Sequence, residues 1–249
     1  MSATHIVMWK WMQPGFIHTY RAEHVNAMVT GLRVRGAVDD AVGRLVLVTD
    51  AGGDGIDPSV DVRPLWDDFG GLSNASGKHL PSCYRRLKLF DPATQAGLGI
   101  KPGDRVCSID LDAVVVGDMR PLLARRERFV GWAVRGTRHP KVYNGSMWLF
   151  TAGDLSETWS EFDPLRSPIA ANKAGYMGSD QSWLSYRLSR KPGCAGWGYP
   201  QVASYPKELR ARRADPPKNT GVAFFHGKDK PWHEKTQRES PWVKRLWGK

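Results

Sequence analysis

Residues 106–116 read VCSIDLDAVVV, and the interpretation of the whole chain begins from this stretch. Its apolar residues, with Pro102-Gly103 before them and Gly117 after them, predict a short buried strand between turns. Asp110 and Asp112 stand one residue apart at the end of that strand. Two carboxylates in apolar surroundings need a charged partner, so the stretch indicates a site for a divalent cation. Taken alone, it also fits one Asp capping the following turn and the other facing solvent.

The flanking sequence alternates apolar strand patterns with helical ones. Before the Asp-x-Asp stretch, strands are predicted over 4–11, 43–50 and 60–65 and helices over 20–34 and 81–90. After it, strands are predicted over 129–134, 146–150 and 222–225 and a helix over 179–188. This order predicts an α/β fold with a mostly parallel central sheet flanked by helices, in which ligands bind at the carboxyl ends of the strands.

Composition places the chain among soluble globular proteins. With 249 residues, of which 41% are hydrophobic and 24% charged, it can bury one good-sized core, or one domain with a tail. No apolar stretch approaches the roughly 20 residues that span a bilayer, and no secretion signal is recognisable at the N-terminus, so we expect a cytoplasmic protein. Cys83, Cys107 and Cys194 lie far apart and predict free thiols.

The charge is strongly positive and uneven. The formal net charge is +11, and from Lys207 to the end there are twelve Lys or Arg against five Asp or Glu. Such a segment attracts polyanions or an anionic membrane surface, or is a solvated tail. A second basic cluster, expected near the acceptor side of a site, comprises Arg120, Arg125, Arg126, Arg128, Arg135 and Arg138.

Four patches along the chain carry the chemistry. They are Arg86-Leu87-Lys88, Asp110-Leu111-Asp112, Asn144-Gly145-Ser146 with Gly178-Ser179-Asp180-Gln181, and His226-Gly227-Lys228-Asp229-Lys230-Pro231-Trp232. Over residues 5–232 the set resembles the glycogenin-like and lipopolysaccharide-galactosyltransferase-like glycosyltransferases of the GT-A fold. The most specific parts are the Asp-x-Asp at a strand end and the late His-Gly-x-x-Lys-Pro-Trp. The resemblance implies a GT-A catalytic domain over 1–206 and a basic segment over 207–249 that completes the donor site.

The resemblance also implies a reaction and a metal. A sugar would move from a nucleotide-diphosphate donor, by the family's habit a UDP-hexose, and a cation would stabilise the departing diphosphate. By this resemblance Asp110, Asp112 and His226 would hold the cation. Two carboxylates and an imidazole suit Mn²⁺, with Mg²⁺ as the alternative. Outside this context His226 would be interpreted as a capping or core histidine.

The other donor residues follow from the same resemblance. Lys230 matches the lysine that binds the diphosphate, and Gly227 lets the backbone approach that phosphate. Arg86 and Asn144 would contact the donor. After Asn144, however, this chain has Gly145 before Ser146, where the family usually has a small residue before a glycine. Base and ribose would lie against the ends of the first two strands, at Trp9, Thr49 and Asp50.

Asp180-Gln181 matches the family's pair beside the reacting carbon. Gln181 would face the sugar opposite the leaving group, and Asp180 would bind sugar hydroxyls. This match implies retention of configuration, whereas an inverting enzyme needs one well-placed carboxylate as base. Ser179-Asp180 also fits an ordinary helix N-terminus.

Two other functions remain open at this stage. In a haloacid-dehalogenase-like phosphatase, Asp110 would be the nucleophile and Asp112 the general acid or base, but that motif usually begins the chain and is followed by an acidic pair. In a non-catalytic nucleic-acid-binding module, Trp232, Trp242 and Trp247 would stack on bases. Because the chain is basic, a polyanionic acceptor is expected. DNA with modified bases is the first candidate, and lipopolysaccharide or another glycan, with peripheral membrane contact, is the alternative.

Overall fold

The chain is built on two sheets, of seven and three strands, in the parts that the structure describes. The structure is a computed structural model that describes residues 2–12, 19–36, 38, 42–73, 83–134, 142–210 and 215–248. The strands are β1 Thr4–Lys10, β2 Val42–Thr49, β3 Val60–Pro64, β4 Arg105–Ile109, β5 Ala113–Val115, β6 Phe129–Val134, β7 Val142–Thr151, β8 Cys194–Trp197, β9 Val202–Ser204 and β10 Val222–Phe224.

Helices cover both faces of the large sheet. The α-helices are α1 Ala22–Val34, α2 Pro92–Gly97, α3 Arg120–Leu123, α4 Glu157–Ser160, α5 Ser167–Lys173, α6 Asp180–Leu188, α7 Glu234–Glu239 and α8 Pro241–Leu246. A 3₁₀-helix over Cys83–Phe90 and a π-helical turn over Tyr205–Leu209 complete the described set. Each of these helices is too short or too polar to cross a bilayer.

The large sheet has the order β3-β2-β1-β4-β7-β6-β8. Its neighbours pair in parallel except at β7, which runs antiparallel to β4 and β6. The interior strands are apolar on both faces because helices cover both, as a parallel sheet requires. The predicted α/β fold with a mostly parallel sheet is confirmed.

Alternate residues of the strands feed two separate cores. Ile6 and Met8 of β1 join Leu47 and the helix α1 on one face, whereas Val7 and Trp9 join Val48 and the 3₁₀-helix on the other. This is the period of two expected of a strand buried on both sides. The region predicted as a helix over 81–90 is a 3₁₀-helix from Cys83, while 81 and 82 lie outside the described residues.

The small sheet incorporates the basic C-terminal segment into the body of the protein. Its order is β5-β10-β9, and β10 lies antiparallel to β5 and parallel to β9. Phe225, Trp242 and Val243 are buried in a third core beside it. In the described part of the segment after residue 206, apolar side chains are therefore buried with β5 and β9.

The second basic cluster lies away from the Asp-x-Asp. Arg125, Arg126 and Arg128 precede β6, whose start pairs with the end of β7, and that edge of the sheet is where β4 begins rather than where it ends. The described ion pairs there are Arg120–Asp118, Arg125–Glu127 and Arg128–Asp154. The expectation that this cluster faces the acceptor is corrected for these residues, while Arg135 and Arg138 lie outside the described part.

The three cysteines carry free thiols, as predicted. Cys107 and Cys194 are buried, and burial raises the pKa of the Cys107 thiol to about 12. Cys107 is therefore a packing residue of β4.

Candidate active site

A cavity of about 200 Å³ opens at the carboxyl ends of β1 and β4, between the two sheets. Among the residues predicted for the site, seven line it: Trp9, Arg86, Asp110, Asp112, His226, Gly227 and Lys230. They come from both ends and the middle of the sequence. The fold thus brings residues of all four predicted patches to one cavity, with Ser146 representing the patch Asn144-Gly145-Ser146.

The end of β4 holds the two aspartates at the junction of the sheets. The Asp110 amide donates to the carbonyl of Ser146 at 2.9 Å, which continues the pairing of β4 with β7. Two residues on, the Phe225 amide donates to the Asp112 carbonyl at 2.7 Å, where β5 begins to pair with β10. Backbone contacts therefore fix the Asp-Leu-Asp turn from both sides.

Arg86 joins two carboxylates from different elements. Its Nη1 lies 2.5 Å from Asp110 Oδ1 and its Nη2 lies 2.6 Å from Asp180 Oδ2, with the guanidinium side chain only 4% exposed. A Cβ on Gly145 would stand 2.8 Å from Arg86 Nη2, so β7 can pass this close only with a glycine there. The 3₁₀-helix, β4 and α6 are thereby joined through one buried cation.

Burial and charge act against each other in this network. Burial raises the pKa of Asp110 and of Asp180, and Arg86 opposes the rise at both. Asp112 adds to the rise at Asp110 because a second carboxylate lies nearby. Burial alone would lower the pKa of Arg86, but the two carboxylates raise it, so the guanidinium remains charged.

Lys230 is the second buried cation. Its ammonium lies 2.5 Å from Asp112 Oδ2 and donates to the Phe225 carbonyl at 3.0 Å, with 1% of the side chain exposed. Lys230 follows the exposed loop residues Gly227 and Lys228, and Gly227 has a φ of +83° that favours glycine. The lysine thus enters the cavity from a loop, while its partner is fixed between the sheets.

His226 stands at the opening beside Lys230. Its Nε2 lies 2.8 Å from Ser204 Oγ, and its ring is 6.0 Å from that of Trp132. Burial lowers the pKa of His226, and Lys207 and Lys230 lower it further. The imidazole is therefore neutral at pH 7, the form that can bind a metal ion.

The donor chemistry of these residues fits a divalent cation. Asp110, Asp112 and Asp180 carry three carboxylates against the two cations Arg86 and Lys230, and this excess favours an added positive charge. The Lys230 ammonium already lies on Asp112 as a cation would. Across the described ranges, no three His, Cys, Asp or Glu side chains are grouped closely enough to hold a metal. The metal set of Asp110, Asp112 and His226 therefore stays a prediction.

Gln181 and Asn144 lie beside the cavity. Gln181 accepts from the Gly145 amide at 3.3 Å and donates to the Met177 carbonyl at 3.1 Å, so its amide bridges β7 and the turn before α6. Asn144 accepts from the Ser146 amide at 2.8 Å and lines a second cavity on the far side of His226. Both residues lie next to Gly145, which Gln181 contacts and Asn144 precedes in the chain. Gly145 in turn stands against the Arg86 guanidinium.

Thr49 and Asp50 end β2 at the same edge of the sheet. Thr49 is buried and its hydroxyl accepts from the Ala51 amide, while exposed Asp50 accepts from the Met12 amide at 2.7 Å. Neither is among the described residues that line the first cavity. Their predicted part in binding base and ribose stays a prediction.

Tyr20 and Cys83 also line the cavity, and the sequence analysis assigned neither of them to the site. The Tyr20 ring packs against Trp232 at 6.0 Å, and burial followed by the nearby Asp112 and Asp110 raises the pKa of its phenol. The Cys83 amide donates to Ser179 Oγ, and burial raises the pKa of its thiol to about 12. The one signal in the sequence for Tyr20 was its position after the first strand, at the edge of the sheet where ligands bind. For Cys83 the sequence offered no signal beyond a place in the helix before Arg86.

Comparison with known proteins finds likeness in structure. No protein-family model and no curated protein matches the sequence. The galactosyltransferase LgtC, solved in complex with donor and acceptor sugar analogues, matches with a TM-score of 0.62 and 16% identity over 97% of this chain and 96% of that one. An active-site mutant of LgtC matches with the same values.

A second protein of known structure shows the same likeness. The glycosyltransferase GlyE of Streptococcus pneumoniae TIGR4 matches with a TM-score of 0.56 and 14% identity, over 98% of this chain. The match covers 60% of GlyE, so this chain corresponds to part of that protein. The GT-A fold implied by the sequence resemblance is confirmed.

Proposed function

We propose that this protein is a glycosyltransferase that takes a hexose from a nucleotide-diphosphate donor, a UDP-hexose by family resemblance. One observation carries the proposal. Arg86, Asp110 with Asp112, and His226 with Lys230 are separated by up to 144 residues of sequence, yet they line one cavity at the carboxyl edge of the sheet. Likeness in fold to LgtC and GlyE supports the same function.

The cations of the cavity suit a diphosphate. Lys230 is held by a single carboxylate and one carbonyl, on a loop that contains Gly227, so its ammonium can exchange Asp112 for a phosphate oxygen. Arg86 is held on two sides and would position Asp110 and Asp180 rather than move. Trp9, Thr49 and Asp50 would form the side of the site for base and ribose.

Asp110, Asp112 and His226 would hold a divalent cation, Mn²⁺ or alternatively Mg²⁺. When bound, it supplies positive charge that stabilises the departing diphosphate. The neutral imidazole of His226 and the excess of carboxylates support this assignment. Lys230, freed from Asp112, would then bind the same diphosphate.

Gln181 and Asp180 would act at the sugar. Asp180 is buried against Arg86 and is not among the described residues that line the cavity, so its contact with donor hydroxyls rests on the resemblance alone. Gln181 projects its amide towards Gly145, on the side of the cavity where Asn144 also lies. We propose retention of configuration with Gln181 on the face opposite the leaving group, and we would measure the anomer of the product by NMR.

The acceptor is the less defined half of the reaction. The net charge of +11 still favours an anionic partner such as DNA or a membrane-bound glycan. The described arginines of the second cluster do not add to this argument, because three of them pair with Asp118, Glu127 and Asp154.

The test is release of nucleotide diphosphate from a panel of nucleotide sugars, with Mn²⁺, with Mg²⁺ and with a chelator. We expect release from one donor class, abolished by chelator, because water can replace the acceptor slowly. Asp112→Ala should lower metal-dependent release by about 10²–10³, the range for losing one charge-stabilising group. Asp118→Ala, at an exposed pair, is the matched control.

Three outcomes would contradict the proposal or a part of it. No release from any donor with either metal would overturn the glycosyltransferase assignment, and release of inorganic phosphate from sugar phosphates would favour the phosphatase instead. Near-normal turnover of Asp112→Ala would show that the metal site is misplaced.

A further inference from the structure

The aromatic residues of the C-terminal segment meet the start of α1 next to the donor cavity. Trp247 follows α8, and its ring centroid lies 6.2 Å from that of Trp232 and 6.1 Å from that of His24. The Trp232 ring lies 4.1 Å from that of His24 and 6.0 Å from that of Tyr20, which lines the cavity. Trp232 therefore lies between the start of α1 and the end of α8, two residues after Lys230.

We propose that Trp247 is a positioning residue for Lys230. Trp247 is not among the described residues that line the donor cavity, so it acts through Trp232 and not on the donor. The inference rests on the proposed function, in which the Lys230 ammonium leaves Asp112 for a phosphate oxygen. That exchange requires the ammonium to move while the backbone that carries it stays in place.

The backbone from Lys230 to His233 forms a turn that couples the lysine to Trp232. The His233 amide donates to the Lys230 carbonyl at 3.1 Å, and Gln237 Nε2 on α7 donates to the Pro231 carbonyl at 2.9 Å. The ring of Pro231 also fixes its own φ between the two side chains. A displacement of Trp232 is therefore passed on to Lys230, because the short turn between them has little freedom to absorb it.

The helix α8 is anchored at both of its ends, so it can support Trp232. Val243 is buried in the third core, and the Trp247 amide donates to its carbonyl at 2.8 Å. At the end of the helix, Arg35 Nη2 donates to the Leu246 carbonyl at 2.5 Å, and Arg35 Nε donates to the Val115 carbonyl of β5 at 2.8 Å. A basic side chain on the last carbonyls is a common cap of a helix C-terminus. Arg35 thus joins the residue before Trp247 to the small sheet.

The accessibility of the Lys230 ammonium tests this role without any donor. The full-length protein is treated with formaldehyde and cyanoborohydride, and the methylation of each lysine is followed by mass spectrometry of its peptide. The Lys230 side chain is 1% exposed and should react slowly. Lys235, whose side chain is 64% exposed on α7, is the internal standard and should react at one rate in every variant.

Trp247→Ala should make Lys230 react faster. We expect its methylation to speed up about tenfold, because the turn opens locally more often without the Trp247 ring behind Trp232. The gain stays limited because Asp229, the residue before Lys230, remains paired with Arg210 at 3.0 Å. Trp247→Phe keeps an aromatic ring at this place and should stay within about twofold of the unaltered protein.

Leu246→Ala is the matched control. Leu246 precedes Trp247 and packs on the same third core, while its carbonyl remains in place for Arg35. This variant should lose stability in denaturant titration without exposing Lys230. Arg35→Met releases the end of α8 from the other side and leaves every aromatic ring in place, so it should speed the methylation of Lys230 about threefold.

Kinetics connects the position of Lys230 with the reaction. In the release of nucleotide diphosphate, we expect Trp247→Ala to lower kcat about tenfold and to change the donor KM by less than about twofold, since a small misplacement affects the step in which charge develops. Trp247→Phe should restore kcat. Leu246→Ala should leave both constants within about twofold.

Three results would overturn the inference. They are equal protection of Lys230 in the unaltered protein and in Trp247→Ala, equal exposure of Lys230 in Leu246→Ala and Trp247→Ala, and a donor KM that rises in Trp247→Ala while kcat is unchanged. If Lys230 becomes exposed as expected but no donor releases its diphosphate even with the unaltered protein, the proposed function fails and the support of Lys230 by Trp247 stands.

Discussion

The two walls of the donor cavity are built differently. The large-sheet wall, Arg86 with Asp110, belongs to a network in which each charge is held from another element, with Asp180 as the second partner of Arg86. The small-sheet wall, His226 with Lys230, stands beside the exposed Gly227. It is held through Ser204 at His226 and through Asp112 and the Phe225 carbonyl at Lys230. The difference teaches that one wall is fixed before any ligand arrives, whereas the other can exchange its partners for those of a ligand.

Arg86→Met would break the fixed wall and gives the largest expected effect. Buried Asp180 and half-buried Asp110 would lose their cation, and we expect the free energy of unfolding to fall by about 3–5 kcal/mol, measured by denaturant titration. Arg245→Met, at an exposed pair with Asp215, is the control and should change it by less than about 0.5 kcal/mol. A change of Arg86→Met no larger than that of the control would show that the network is not structural.

Lys230→Met tests the small-sheet wall, where the lysine is expected to exchange Asp112 for a phosphate oxygen. Lys230→Met leaves one carboxylate without its cation, whereas Arg86→Met leaves two, so stability should fall less. The rate of diphosphate release should instead fall by about 10²–10³ in kcat, because the lysine would act on charge that develops at the leaving group. Lys235→Met is the matched control. A loss confined to KM would mean that Lys230 binds donor and transition state equally.

Ser204→Ala tests whether the Ser204 hydroxyl positions His226 in the small-sheet wall. We expect kcat to fall about tenfold, as for residues that orient a metal ligand, with a stability loss of about 1 kcal/mol from the lost cap. Ser240→Ala removes another buried hydroxyl contact of this region, 3.1 Å from Tyr205, without touching His226. It should reproduce the stability change alone. If both variants lose activity equally, Ser204 has no specific part.

The smallest expected effect is a pH dependence of stability at His24, which packs at 4.1 Å from Trp232 next to the small-sheet wall. Burial lowers its pKa from 6.5, so the unfolded chain takes up the proton first as the pH falls below that value. Stability is then lost with falling pH. His24→Asn keeps an acceptor for the Arg21 amide and should flatten the slope between about pH 7 and 5, measured by denaturant titration. An unchanged slope would contradict this.

The sequence predicted what is local and missed what is long-range. The strands over 43–50 and 129–134 were predictable because apolar, β-branched residues identify a buried strand. The pairing of β10 with β5 was not, because no local pattern encodes a partner over a hundred residues away. The net charge suggested a tail because a count of Lys and Arg describes side chains that are usually exposed. It carries no information about the buried Trp242 and Phe225 of the same segment.

The same limit applies to the candidate site. Asp110, Asp112, His226 and Lys230 were predictable from short motifs with a chemical reason. Ser204 was not, because its part depends on a distance of 2.8 Å to a residue 22 positions later. Tyr20 likewise has no motif, and its place at the cavity depends on a ring contact with Trp232, more than two hundred residues later in the chain.

The Asp-Leu-Asp turn between the two sheets has a consequence for synthesis. Its large-sheet side can form once β7 has left the ribosome, but β10 and Lys230, which hold its other side, are translated more than seventy residues later. During that interval a nascent chain carries Asp112 without its cation and β5 without its partner strand. A ribosome that stalls there would leave an inert chain with an open sheet edge, a target for chaperones or proteases.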